Sequence, residues 1–297
     1  MLEWIPGFEQ DNLIAEHGKK LNGLISAKPH AIKCLRELKN LTLGGQSDWV
    51  IDGILPYLSS NLSSLFLSQD CSMGSSSTPF VDLSQRCSHL RSLVLRQTLD
   101  TSNDLEQACK AWGETMEELM VSSIEDMRDW VSQVMPFMKV LRVLHLGPGC
   151  SLSSESIGAI ASAESPLEEI SLGDILPADG ESMKASDETN QVLANMIVAH
   201  SSTLQLLELR CVDLGKNVLL SCKKARQLHT LDLSVQAMLE APDIDDLLDL
   251  CTELAWFPLW FQLHSARRGE WEARIRTRDD AEKWTLTQEP TVSSLGT

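Results

Sequence analysis

Apolar residues in this chain follow one phrase, apolar-x-x-apolar-x-apolar, that returns at a near-constant interval. It reads Leu38-Leu41-Leu43, Leu62-Leu65-Leu67, Leu90-Leu93-Leu95 and Met116-Leu119-Val121. It continues as Leu141-Leu144-Leu146, Leu167-Ile170-Leu172, Leu204-Leu207-Leu209 and Leu228-Leu231-Leu233. A ninth copy, Leu254-Phe257-Leu259, is weakened by Pro258. The middle anchors advance by 24, 28, 26, 25, 26, 37, 24 and 26 residues. The last two apolar positions of each copy are two apart, which is strand periodicity and places both side chains on one face. Between copies the spacing turns helical. Leu105, Ala108, Cys109 and Trp112 share a helix face after the capping candidates Asn103 and Asp104, and Ile244, Leu247, Leu248 and Cys251 do so after Pro242-Asp243. Val192, Leu193, Met196 and Ile197 repeat the pattern, as do Trp130, Val131 and Val134 ahead of Pro136.

One short strand and one helix cannot bury their own apolar face, so neighbouring copies must stack. The predicted fold class is an α/β solenoid, a curved right-handed β-α superhelix of about nine repeats, with a parallel sheet on its concave side and helices on its convex side. The phrase and its period are similar to those of leucine-rich repeats, in the longer form with a full convex helix. Residues 1–33 read as an N-terminal helical cap, in which Asp11 starts a helix whose face carries Leu13, His17, Leu21, Leu24 and Ile25. Residues 34–262 hold the repeats. Two interruptions are predicted surface loops: the polar stretch 72–78, and about ten extra residues around Pro177 to Glu188 in the long sixth interval. Residues 263–288 alternate apolar with charged positions from Trp271 to Arg278 and again around Trp284 and Leu286, with a polar turn at Asp279 to Glu282, which predicts a closing β-hairpin. Residues 289–297 read as a flexible tail.

The 297 residues are 43% hydrophobic, enough for a large core spread along the solenoid axis. No run of 18 or more apolar residues appears, and the first ten lack a basic segment followed by an apolar one. Neither a transmembrane helix nor a secretory signal is expected, and the expected location is intracellular, cytoplasmic or nuclear. The eight cysteines form no Cys-x-x-Cys pair, so no metal, redox motif or cofactor is expected. Cys87 and Cys251 precede leucine phrases by three residues and are expected to fill core. The sequons at Asn40 and Asn61 carry little weight in an intracellular chain.

Net charge is −17, with a pI near 4.8, which disfavours nucleic acid as a partner. Such acidity either steers a basic partner or keeps a solenoid soluble. Arg267, Arg268, Arg274, Arg276 and Arg278 form one basic patch, read as a solvated strand face or as an anion or partner site. No Gly-rich phosphate loop, Gly-x-Ser-x-Gly elbow or His-Glu-x-x-His motif is present, so an enzyme is not expected. His89 and His229 are expected to be structural.

Residues between the two strand anchors point away from the core. They are Thr42, Phe66, Val94, Met120, His145, Ser171, Glu208, Asp232 and Pro258. Phe66, Val94 and Met120 fall on successive strands ~4.8 Å apart and predict an apolar patch ~10 Å long. Arg96, Gln69, Gln97 and His145 form its rim, and Glu169, Glu208 and Asp232 turn the face acidic further along, with Arg210 as an internal partner. The expected partner-binding residues are Phe66, Val94, Met120, His145 and Arg96. The alternative is that the 72–78 loop covers the patch.

With these phrases and the Cys-x-x-Leu-x-x-Leu-x-Leu form at Cys87, echoed with Phe257 after Cys251, the chain resembles ribonuclease-inhibitor-like repeats and the repeat region of fungal F-box-type proteins. The resemblance covers roughly residues 34–260. It implies a substrate-recognition subunit of a ubiquitin ligase. Residues 1–33 lack the Leu-Pro-x-Glu-type opening of an F-box, so no F-box is recognisable. The expected function is a monomeric protein-interaction scaffold that binds another protein through the concave face, without nucleic acid or membrane. One alternative is an acidic inhibitor or regulator of a basic enzyme. Another is a GTPase-activating protein, for which no exposed catalytic residue is apparent.

Overall fold

A computed structural model describes residues 12–15, 35–43, 49–50, 55–67, 71–72, 78–96, 102–122, 130–175, 186–209, 214–233, 241–255, and the single residues 271 and 275. Eight of the phrases become strands, β2 (Asn40–Leu43), β4 (Ser64–Leu67), β6 (Ser92–Arg96), β7 (Glu118–Ser122), β8 (Val143–Leu152), β9 (Glu169–Ile175), β10 (Leu206–Leu209) and β11 (Thr230–Leu233), and β1 (Asn12–Ala15) precedes them. These nine form a single parallel sheet in chain order. The short strands β3 (Trp49–Val50) and β5 (Cys71–Ser72) make a second parallel ladder beyond the ends of β2 and β4. Helices alternate with the strands: α1 (Pro79–Arg86), α2 (Ser102–Trp112), α3 (Trp130–Val134), α4 (Ser154–Ala161), α5 (Asp187–Ala199), α6 (Lys216–Cys222) and α7 (Ala241–Leu250). The fold is α/β with solenoid-like repetition.

Register follows the anchors. Leu41, Leu65, Leu93, Leu119, Leu144, Ile170, Leu207 and Leu231 stand opposite one another in one unbroken row. A one-residue slip would turn every anchor to the other face, so burial holds the register. Backbone hydrogen bonds repeat with it. The Lys39 carbonyl accepts from the amides of Ser63 and Ser64, Ser63 from Arg91 and Ser92, and Arg91 from Glu117 and Glu118. The same pair recurs at Glu117, Arg142, Glu168 and Gln205, and Ala255 N donates to His229 O as the ladder reaches the start of the ninth copy.

The anchors and the inner faces of the helices make one apolar cluster. Strands β2, β4, β10 and β11 alternate half-buried and buried, as the phrase predicts. Cys87 and Cys251 are fully buried, and burial pushes the Cys87 thiol up to about 12. Trp112 donates its indole N–H to Cys87 O at 2.8 Å, tying α2 to the preceding repeat. Among the described residues no helix is long and apolar enough to cross a membrane.

Four expectations change. Residues 12–15 are not helical: Leu13 pairs with Leu41, and β1 adds a parallel strand ahead of the first phrase. At the other end, Trp271 and Ile275 are helical and buried, not strand residues, and Trp271 Nε1 donates to Asp245 Oδ1 at 2.9 Å on α7. Four-residue spacing puts both on one helix face. Asp104 is not the cap of its own helix, which starts at Ser102. Its carboxylate accepts from Phe80 N at 2.7 Å and Val81 N at 2.9 Å, and so caps the neighbouring α1. The insertion in the sixth interval is narrower than 177–188, because Ser186 already caps α5 and accepts from Thr189 N at 3.0 Å. The ninth anchors Phe257 and Leu259, the tail and most of the 72–78 loop lie outside the described residues.

Candidate functional site

The strands that carry the anchors have one face toward the helices and one away from them, and the site lies on the second. Backbone pairing brings Thr42, Phe66, Val94, Met120, His145, Ser171, Glu208 and Asp232 into one continuous row across eight strands. Phe66, Val94 and Met120 are directly adjacent in that row, as expected from the sequence, and all three are half-buried rather than sealed in the core. A second outward row, two residues upstream, reads Asn40, Ser64, Ser92, Glu118, Val143, Glu169, Leu206 and Thr230.

The apolar stretch is not bare. Arg96, exposed at the downstream end of β6, places its guanidinium over the Phe66 ring, 5.5 Å from the centroid. That cation–π contact pins a long flexible side chain along the rim and keeps the aromatic ring oriented. On the other side of Met120, His145 Nε2 stands 3.5 Å from Glu169 Oε2 and has no hydrogen-bond partner among the described residues. Gln69, Gln97 and Arg210, named from the sequence as rim or partner, lie outside the described residues, as does Pro258.

Carboxylates on this face are held down by serines of the adjoining strand. Ser92 Oγ donates to Glu118 Oε2 at 2.6 Å, and Ser171 Oγ donates to Glu208 Oε2 at 2.9 Å. These bonds orient each carboxylate along the face, because each oxygen accepts from a hydroxyl fixed on the neighbouring strand. Glu118 was not singled out from the sequence. The signal for it was the second outward position of each strand, upstream of the middle anchor, which carries the same directional information as the row containing Phe66.

At the upstream ends of the strands, exposed ion pairs run across neighbouring repeats. Arg142 grips Glu168 with Nε at 2.8 Å and Nη2 at 2.6 Å, and Arg91 Nη1 lies 3.3 Å from Glu117 Oε1. Such pairs stabilise little individually. An open groove beside them, about 530 Å³, is lined by Glu37, Lys39, Ser60, Asn61, Ser63, His89 and Arg91. Two of its polar side chains serve the fold: Asn61 Nδ2 donates to Arg36 O, and Ser63 Oγ donates to Lys39 O. Among the described residues no group of three His, Cys, Asp or Glu side chains is placed to hold a metal ion.

Close approach also shapes the face beside the site. A Cβ at Gly147 would lie 2.6 Å from Ser122 Cβ, so only glycine lets β8 pass β7 at this point before its register shift. Searched against protein-family models and against curated proteins, the chain matches none.

Proposed function

We propose that this chain is a leucine-rich-repeat scaffold that binds another protein across the open face of its sheet. The observation that carries the reading is the side-by-side placement of Phe66, Val94 and Met120 on the face the helices do not cover. Apolar groups left half in water gain less for folding than buried ones, and contiguous apolar surface with a polar rim marks interaction sites. The rim is present in Arg96, His145, Ser64, Ser92 and Glu118. Resemblance to the fungal F-box type makes recognition of a ubiquitin-ligase substrate the specific role to examine first within this class.

Placing a photo-reactive benzophenone side chain at Met120, and separately at the exposed helix residue Leu220, tests the reading in cell extract. Cross-linking of one reproducible protein from position 120 and not from 220 is the expected result. Equal cross-linking from both positions, or none from 120, would remove the sheet face as the binding surface.

A further inference from the structure

His145 stands where the apolar row meets two carboxylates. Met120 lies directly opposite it on β7, and Ser171 on β9. Val143, two residues upstream, pairs with Glu118 on one side and Glu169 on the other, so both carboxylates are diagonal to the imidazole. Neighbouring strands are only ~4.8 Å apart, so a partner that covers Met120 also covers His145.

The two carboxylates are provided for differently. Ser92 Oγ donates to Glu118 at 2.6 Å. Beside Glu169 Oε2 stands His145 Nε2, 3.5 Å away, and that nitrogen is shielded from solvent without a hydrogen-bond partner among the described residues. The gap exceeds the ~2.7–2.9 Å of a charge-assisted N–H···O bond. The imidazole and the carboxylate keep 27% and 40% of their side-chain surface exposed, so water still reaches both. Other charges close by are engaged. Arg142, three residues upstream, is held by Glu168 through two hydrogen bonds, with Glu117 and Glu169 as weaker influences. Glu208 on β10 lies beyond Ser171 and accepts from its hydroxyl.

Covering this corner changes the balance between the two forms of the histidine. A neutral imidazole beside a dehydrated carboxylate leaves one uncompensated charge and one unmade hydrogen bond, and both are unfavourable out of water. An imidazolium beside the same carboxylate is a neutral pair, whose attraction grows as water leaves. Histidine is the side chain that makes this change near neutral pH, whereas ordinary carboxylates and guanidinium groups keep their charge there.

We infer, resting on the scaffold reading above, that binding on this face is proton-linked: His145 takes up a proton from solvent as the face is covered, and its Nε2–H donates to Glu169. Binding that takes up a proton strengthens as pH falls through the imidazole range, and the linkage is reciprocal. Acidification therefore favours the occupied face, and alkaline conditions favour release.

The chain carrying benzophenone at position 120 is mixed with cell extract at about pH 6 and about pH 8, on either side of the histidine range. The captured protein is purified and titrated calorimetrically against the native chain, His145→Gln and Glu169→Gln. Groups that titrate on the captured protein itself are common to all three titrations, so the comparison isolates His145. On going to the lower pH, native affinity should gain at least ~5-fold relative to that of His145→Gln. Glu169→Gln should lose the same gain although its histidine is intact. In paired buffers of different ionisation heat, the native chain should take up more protons on binding than either variant. An identical pH dependence in the native chain and His145→Gln overturns the proposal, and so does a full gain in Glu169→Gln. In both cases capture from position 120 persists, and the scaffold reading stands without its proton linkage. No capture at either pH removes the scaffold reading and this inference with it.

Discussion

The guanidinium of Arg96 lies over the ring of Phe66, one strand away and 5.5 Å from its centroid. The contact joins the one permanent cation among the described outward positions to the one phenyl ring among them. Because Arg96 is exposed, the pair should stabilise the fold by only ~0.5–1 kcal/mol. Arg96→Ala should therefore shift the urea unfolding free energy by about that amount. A loss above ~2 kcal/mol would mean that Arg96 is part of the structural core rather than the rim of a binding face.

Inward and outward strand positions should differ sharply in cost. Leu144 and Ile170 are fully buried, and truncating either to alanine should cost ~2–5 kcal/mol. Thr42 lies on the open face, and Thr42→Ala should cost under about 0.5 kcal/mol. Chemical denaturation of the three variants checks this, and similar costs for all three would contradict the assignment of faces.

Acid sensitivity should concentrate at His200. This residue caps the end of α5, is buried, and its Nε2 lies 2.8 Å from Ile160 O. Desolvation by burial holds its pKa below the ordinary imidazole value, although the hydrogen bond to Ile160 opposes the shift. A depressed folded pKa means that the contribution to stability is whole above the unfolded value of ~6.5 and is lost as pH falls through the folded pKa. His200→Gln removes the titration while keeping a donor for Ile160 O. The native protein should lose more stability than this variant below about pH 6.5. Parallel pH profiles for the two proteins would show that His200 is not the titrating group.

Gly113 follows α2 and its carbonyl accepts from Lys139 N at 2.9 Å. A Cβ here would run into the backbone carbonyl of Phe137, so backbone rather than a flexible side chain would have to shift. Gly113→Ala should cost ~1–3 kcal/mol, as overpacking does. A thermal melt that shows no change would mean that this turn is more yielding than its contacts imply.

The row of anchors was legible in the sequence because leucine at a spacing of two on each strand answers to a single constraint, burial against the helices. The outward row followed from the same parity, which is why Phe66, Val94 and Met120 could be named as neighbours. Strand β1 was not legible. Its would-be phrase has Gln10 and Ala15 where the others have leucines, and the spacing of Leu13, His17 and Leu21 imitates a helix. The strand forms at Asn12–Ala15 because the edge of β2 offers a row of backbone groups that a parallel neighbour satisfies. Trp271 and Ile275 misled for a related reason. They belong to an alternating run, and they are equally compatible with a helix face, which the indole contact to Asp245 secures. Asp104 read as a local cap, but its partners are 24 and 23 residues away in the preceding helix, beyond any local rule. Glu169, Glu208 and Asp232 were legible from strand parity, whereas the hydrogen bond from Ser92 to Glu118 joins two strands and is not displayed by one-dimensional spacing.

The central claim is that the open sheet face, rather than the helix side, is the binding surface. It is tested most directly by measuring stability and affinity together for Phe66→Ala, Met120→Ala and the helix-side control Leu220→Ala, against the protein cross-linked from position 120. Calorimetric titration with that partner should show Phe66→Ala weakening binding by ~2 kcal/mol or more, as truncation at an interface centre does. Met120→Ala should follow in the same direction, and both should melt close to the native temperature. Leu220→Ala should leave affinity unchanged. Native affinity in both face variants, or a loss with Leu220→Ala to match theirs, would contradict the account.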